Sequence, residues 1–139
     1  MPTFTLHKIL EAESVFIHDL PLSQLRLQNL KTVPWLILVP RRTEAREIYT
    51  LDLDDREQLM EEIVATSQAI EKIYAPFKIN VASLGNVVPQ LHVHVIGRYE
   101  NDQAWPKPVF GNLPPAPYTD AELAAAKQKL DEFISKVDL

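Results

Sequence analysis

Residues 85–96 read GNVVPQLHVHVI and are the most informative segment of the chain. From Gln90 onward, polar and apolar residues alternate, which is the period of a β-strand with one buried face. Successive side chains of a strand point to opposite faces, so Gln90, His92 and His94 are expected to share one face. The Gly-Asn pair in front of them predicts a turn. The segment therefore predicts a strand that follows a turn and displays two imidazoles.

Two imidazoles on one rigid strand suit chemistry at phosphorus. One can attack while the other donates hydrogen bonds to phosphate oxygens, and the strand fixes both in place. A neutral imidazole keeps a free lone pair near pH 7, because the ordinary pKa of histidine is about 6.5. If a backbone carbonyl accepts a hydrogen bond from Nδ1–H of His92, the tautomer is set and Nε2 faces the substrate. Alternatively, the pair belongs to an amphipathic strand and faces solvent without a function.

The N-terminal half predicts one short helix and two strands. Apolar spacing at residues 6–10 predicts a helix that ends before Ser14. The alternation at residues 25–27 predicts a strand, and the apolar run 35–39, closed by Pro40, predicts a strand in the core.

Two further helices carry recognisable N-terminal caps. Asp54 and Glu57 form a capping box that opens a helix of about twenty residues before Pro76. Thr119 and Glu122 form a second box, which opens a C-terminal helix.

Strands at residues 78–84 and 90–96, joined by a turn at Gly85 and Asn86, predict a hairpin. The prolines of residues 100–118 exclude an ordinary helix or central strand, so this segment is expected to be a long loop. Strands and helices do not alternate regularly, which favours an α+β fold with an antiparallel sheet, one long helix and a C-terminal helix.

Composition narrows the class of protein. The chain has 139 residues, 46% of them hydrophobic, without a change of composition along its length, so we expect a single domain over residues 1–139. It has no cysteine, which excludes disulfides, thiolate zinc sites and a thiol nucleophile. Neither a membrane span nor a signal peptide is apparent, so a soluble, cytoplasmic protein is expected, with no membrane partner.

The net charge of −5 argues against a general nucleic-acid binder. This charge is compatible with a small anionic ligand, because a few donors are enough to form a local phosphate site. The cations considered for this role are Lys31, Arg41, Arg42, Arg98 and Lys107.

The segment at residues 85–96 resembles the signature of the histidine triad (HIT) family, in which three histidines alternate with apolar residues after a glycine-containing turn. On that pattern His92 matches the middle histidine, the nucleophile that becomes nucleotidylated, and His94 matches the third. Gln90 stands where the family has its first histidine. Asn86 matches a polar turn residue that in relatives helps to hold the phosphates.

The resemblance extends over residues 15–112. Residues 34–40 look like the family strand below the nucleotide pocket, and Trp35 stands where many relatives place a fourth histidine. Asn29 resembles the polar residue that meets the ribose hydroxyls. The loop around Trp105 resembles that of a bacterial branch with Gln in the first triad position.

The resemblance implies a nucleotidyl hydrolase or transferase that forms a homodimer and needs no metal or other cofactor. Its substrate would be a purine nucleotide or dinucleotide, such as a dinucleoside polyphosphate or a nucleoside phosphoramidate. His92 would attack the α-phosphorus, and water would hydrolyse the intermediate. Because the amide of Gln90 cannot act as an acid near pH 7, we expect either leaving groups that need little protonation or slow turnover.

Two other functions stay open. The chain could be a nucleotide sensor or scaffold that keeps the pocket without efficient catalysis. A His-x-His pair also has a spacing that suits zinc, but such a site would need a third ligand, for which His18, Asp19 and Glu100 are candidates.

Overall fold

The computed structural model describes residues 3–139. Its elements are α1 (Lys8–Glu13), β1 (Ser14–Asp19), β2 (Ser23–Gln28), β3 (Trp35–Pro40), α2 (Leu53–Tyr74), β4 (Lys78–Ala82), β5 (Val93–Arg98) and α3 (Asp120–Ser135). A short 3-10 helix, Ile48–Thr50, precedes α2. The five strands form one antiparallel sheet in the order β1-β2-β3-β5-β4. The predicted α+β class, with a long helix and a C-terminal helix, is confirmed.

The helix α2 begins earlier than the capping box predicted at Asp54. Its N-cap is Asp52, whose side chain accepts a hydrogen bond of 2.8 Å from the backbone N–H of Asp55. The helix ends at Tyr74, because Ala75 adopts a left-handed conformation with φ of 46° and a proline follows. None of the helices in residues 3–139 is long and apolar enough to cross a membrane.

The hairpin of β4 and β5 is confirmed, but the connection between its strands comprises residues 83–92 rather than a two-residue turn. Pro89 has no N–H to donate to a ladder, and the N–H of Leu91 donates to the carbonyl of Ala45 at 2.9 Å. The predicted strand therefore begins only at Val93, and the residues in front of it belong to the connection.

The sheet separates two apolar clusters. On one face, Leu36 and Leu38 of β3 pack with residues of α2 and α3. On the other face, Trp35 and Ile37 pack with residues of α1 and of the long connection before α3. The residues of the histidine segment that join the first cluster are Leu91, Val93 and Val95. Their alternation puts the histidines towards the second face, as the pattern predicted.

The helix α2 lies very close to β5 at Gly97. A Cβ atom at this position would lie 2.7 Å from Cγ of Pro34 and 2.9 Å from Cγ2 of Ile70. Only a residue without a side chain permits this approach of helix and strand, which holds β5 and its histidine in place.

A buried ion pair holds the proline-containing connection between β5 and α3. Nε of Arg98 lies 2.9 Å from Oδ2 of Asp102, and both side chains are 2% exposed. The remaining donors of Arg98 reach the side chain of Asn80 and the carbonyl of Lys107. Asp102 also accepts from the backbone N–H groups of Tyr99, Ala104 and Trp105. Every charge of the pair is thus hydrogen-bonded, and the predicted loop is ordered against the sheet.

Candidate functional site

A cleft of about 250 Å³ opens on the face of the sheet opposite α2 and α3. Its apolar walls include Ile9, Leu10, Trp35, Ile37, Val88 and Phe110. Its polar side chains are Glu13, Gln28, Asn86, His92 and His94. An apolar cleft with a few polar groups is typical of a small-molecule site.

His92 lies at the end of the connection, directly before β5. Its Nδ1 is 2.7 Å from the carbonyl oxygen of Gln90. A carbonyl can only accept, so Nδ1 carries the hydrogen and the lone pair of the neutral ring is on Nε2. The side chain is 5% exposed and borders the cleft. The sequence-based condition for a nucleophilic Nε2 is therefore met.

His94 lies in β5, opposite Ile37 of β3. The indole Nε1–H of Trp35 donates to its Nδ1 at 2.9 Å, so the hydrogen of the neutral imidazole is on Nε2. Burial lowers the pKa of His94 to about 4, with a smaller contribution from His92, and a hydrogen bond to the backbone of Leu84 opposes this shift. His94 is therefore neutral at pH 7.

The two imidazoles thus have opposite tautomers. Their centroids are 4.8 Å apart and their planes meet at 77°. His92 has a lone pair on Nε2, whereas His94 has a hydrogen there. One ring can therefore attack an electrophile while the other donates a hydrogen bond to it. The ring of Phe110 packs edge-on against His94 with centroids 4.9 Å apart and shields it from water.

A second cavity, of about 330 Å³, adjoins the cleft. Asn86 and His92 line both spaces. The other side chains of the second cavity are mainly polar and include Arg46, Glu47, Ser83 and Gln90. His92 is therefore placed where an apolar space meets a polar one.

Gln90 lines this second cavity, but its amide also fixes the N-terminal segment. Its Oε1 accepts a hydrogen bond of 2.8 Å from the backbone N–H of His7, and its Nε2 donates at 2.8 Å to the carbonyl of Thr5. Gln90 thus ties the segment before α1 to the connection that carries His92.

The other predicted site residues lie in different places. Trp35 and Asn86 line the cleft. Asn29 does not; its Oδ1 accepts from the backbone N–H of Tyr118, and the neighbouring Gln28 lines the cleft instead. None of the five cations considered for a phosphate site lines the cleft, Lys107 included. Lys31, Arg41, Arg42 and Arg98 pair instead with Glu122, Asp19, Asp55 and Asp102.

Sequence reasoning missed several residues of the two spaces. Glu13, Gln28 and Phe110 come to the cleft from α1, β2 and the connection before α3. Arg46 comes from the segment after β3. No local pattern marks these residues, because tertiary contacts alone bring them to the histidines.

The remaining histidines lie elsewhere. His7 caps α1, with its Nδ1 accepting from the N–H of Ile9 at 3.1 Å. Nδ1 of His18 lies 2.7 Å from Asp131 of α3. Within residues 3–139 no group of three or more His, Cys, Asp or Glu side chains is placed to hold a metal ion. The third ligand of a His-x-His metal site is therefore not found in this part of the chain.

The family model of the HIT domain matches residues 10–101. A histidine triad protein from Bradyrhizobium japonicum is 43% identical, with a TM-score of 0.93 over 96% of this chain and 99% of that one. One from Marinobacter aquaeolei VT8 is 42% identical, with a TM-score of 0.94 over 99% and 100% of the two chains. One from Sinorhizobium meliloti 1021 is 40% identical, with a TM-score of 0.91 over 94% and 96%. No curated protein matches the sequence. The matched family model and these relatives show that the chain belongs to the histidine triad (HIT) family.

Proposed function

We propose that this chain cleaves nucleoside phosphates at the α-phosphorus, as a hydrolase or transferase, through a nucleotidyl intermediate on Nε2 of His92. Membership of the HIT family supports the broader part of this proposal, a nucleotide-binding hydrolase or transferase. The observation that carries the finer part is the bond of 2.7 Å between Nδ1 of His92 and the carbonyl of Gln90. It leaves the lone pair on the nitrogen that can attack.

The two chemical steps use the two imidazoles differently. In the first step the Nε2 lone pair of His92 forms a bond to phosphorus, and the bond from phosphorus to the leaving group breaks. In the second step water or another acceptor attacks phosphorus, the bond to Nε2 breaks, and the acceptor's proton goes to solvent. His94 offers its Nε2–H to a non-bridging oxygen in place of the backbone of Leu84.

The cleft suits a nucleoside. Its aliphatic walls and the rings of Trp35 and Phe110 can cover a purine. Glu13 and Gln28 supply polar groups for ribose hydroxyls at the same cleft, and we propose them for this role in place of Asn29. Asn86 borders both the cleft and the second cavity, which is a suitable position for contact with the phosphates.

The HIT family often forms dimers, and we propose a homodimer for this chain. Light scattering of the purified protein would give a mass near twice that of one chain. A mass of one chain at all concentrations up to the millimolar range would contradict a dimer.

The intermediate can be trapped directly. We would incubate the protein with a diadenosine polyphosphate or an adenosine phosphoramidate, quench in base and digest the protein. Mass spectrometry should find AMP on His92, and AMP should be released over time. His92→Gln should abolish both, with a loss of turnover of about 10³-fold or more. The matched control is His18→Gln, which removes a surface imidazole paired with Asp131 and should keep the adduct.

Other outcomes would change the proposal. AMP binding in calorimetry without an adduct or AMP release would favour a sensor or scaffold with the same pocket. An adduct on a residue other than His92 would overturn the proposed nucleophile.

A further inference from the structure

Arg46 lines the second cavity, and its side chain has no hydrogen-bond acceptor within the described residues. Among residues 3–139, Arg46 makes no hydrogen bond or ion pair, although it borders the same space as His92. Each of the other arginines has a hydrogen-bond acceptor in the fold. They are Arg26, Arg41, Arg42, Arg56 and Arg98. Within residues 3–139, Arg46 is thus the one arginine whose side chain has no acceptor in the fold.

The backbone explains why Arg46 lies beside His92. The N–H of Leu91 donates to the carbonyl of Ala45 at 2.9 Å, so the two segments run next to each other. Ala45 and Leu91 both belong to the apolar cluster under α2 and α3. The residue that follows each of them, Arg46 in one segment and His92 in the other, lines the second cavity.

Glu47 lines the same cavity and could oppose the binding of an anion. A phosphate in this cavity therefore meets one carboxylate and one guanidinium, and of these two groups only the guanidinium can donate hydrogen bonds to it.

We propose that the second cavity is the leaving-group subsite and that Arg46 selects a leaving group that carries a phosphate. This inference rests on the proposed function. The nucleoside occupies the apolar cleft, the α-phosphorus lies at the junction bordered by His92 and Asn86, and the leaving group extends into the polar cavity. A guanidinium matches the planar, bidentate geometry of phosphate oxygens.

The chemistry of Gln90 agrees with this substrate class. When Nε2 of His92 bonds to the α-phosphorus, the bridging P–O bond breaks and its electron pair stays on the departing phosphate oxygen. This oxygen needs no proton to leave, and the charge on the leaving phosphate is balanced by Arg46. An amine or alkoxide would need a proton, which the amide of Gln90 cannot supply near pH 7. The substrates expected are therefore dinucleoside polyphosphates or similar anhydrides.

Two substrates with the same AMP portion test this inference. Diadenosine tetraphosphate releases a phosphate-bearing group, whereas the p-nitrophenyl ester of AMP releases an aryl oxide that carries no phosphate and needs little protonation. Arg46→Met should lower kcat/KM for the tetraphosphate about 10- to 100-fold and for the aryl ester less than about threefold. Arg46→Lys should recover part of the loss. Arg56→Met is the matched control, since it removes an exposed arginine that lines neither space.

The inference would be overturned if Arg46→Met lowered kcat/KM equally for both substrates, or if it left kcat/KM for the tetraphosphate unchanged. Failure of the proposed function is a separate result, because the wild-type protein would then form no adduct on His92 with either substrate. In that event calorimetry still tests the inference. Arg46→Met should weaken the binding of diadenosine tetraphosphate and leave the affinity for AMP unchanged, and equal affinities of wild type and variant for the tetraphosphate would refute it.

Discussion

His94 should make the fold less stable as the pH falls from 6.5 to 4, because the unfolded chain binds a proton on this residue more readily than the folded chain does. Burial, with a smaller contribution from the neighbouring His92, lowers its pKa to about 4, whereas an unfolded chain gives histidine its ordinary value of about 6.5. The unfolded chain therefore binds a proton on His94 at a higher pH than the folded chain does. Above pH 6.5 both states are neutral at this residue, and its contribution to stability is complete.

The size of the effect follows from the two pKa values. As the pH falls from 6.5 to 4, the unfolded state gains protons that the folded His94 does not bind, and stability decreases. The full difference corresponds to about 3 kcal/mol, and below pH 4 no more is lost from this residue.

The assay compares wild type with His94→Asn. An asparagine Oδ1 can still accept from the indole N–H of Trp35 but does not titrate. Denaturant unfolding at steps from pH 8 to pH 4 gives the free energy of unfolding of both proteins, and their difference removes the contributions of the shared carboxylates. We expect wild type to lose about 3 kcal/mol relative to the variant over this range. An NMR titration of the imidazole should give a midpoint near 4.

A midpoint of His94 near 6.5, together with parallel stability curves for the two proteins, would refute the reasoning. It would mean that water reaches the imidazole despite the surrounding rings of Trp35 and Phe110. A midpoint near 4 with parallel curves would also count against it, because linkage requires the stability difference.

Three further substitutions test the packing around the site. Gly97→Ala should cost about 1–3 kcal/mol of unfolding free energy in thermal or denaturant melts, because its Cβ would overlap a proline ring and the helix α2; an unchanged melting curve would contradict this close approach. Asp102→Asn should cost about 3–5 kcal/mol in the same assay by leaving Arg98 buried without a counter-charge, and a loss below about 1 kcal/mol would mean that water solvates the guanidinium. Gln90→Glu should cost about 1 kcal/mol, since a carboxylate cannot donate to the carbonyl of Thr5, and hydrogen exchange should speed up in the N-terminal segment; unchanged exchange there would refute the role of this tie.

Sequence patterns predicted what short-range physics determines. The capping box of Thr119 and Glu122 forms as expected, and the alternation of residues 91–95 buries the predicted side chains. The tautomer of His92 was also accessible, because its partner is a carbonyl two residues away.

The contacts that define the surroundings of the histidines were not accessible from the sequence. Family resemblance places Trp35 near the site, but the hydrogen bond from Trp35 to His94 joins residues 59 positions apart. The placement of Arg46 depends on a backbone bond between two segments that have no local signal for pairing. The predicted start of the strand at Gln90 is wrong for the same reason, since the N–H of Leu91 donates to the carbonyl of Ala45, which lies outside the hairpin.

The tie between Gln90 and the N-terminal segment has a consequence for the order of folding. The residues that it joins are 83 and 85 positions apart, and contacts of such sequence separation form late because a long loop must close first. During synthesis on the ribosome, Thr5 and His7 cannot form these hydrogen bonds until Gln90 has been made and has left the ribosome. The strands β1, β2 and β3 can already pair by then, so this part of the sheet can form before the pocket beside His92 is complete.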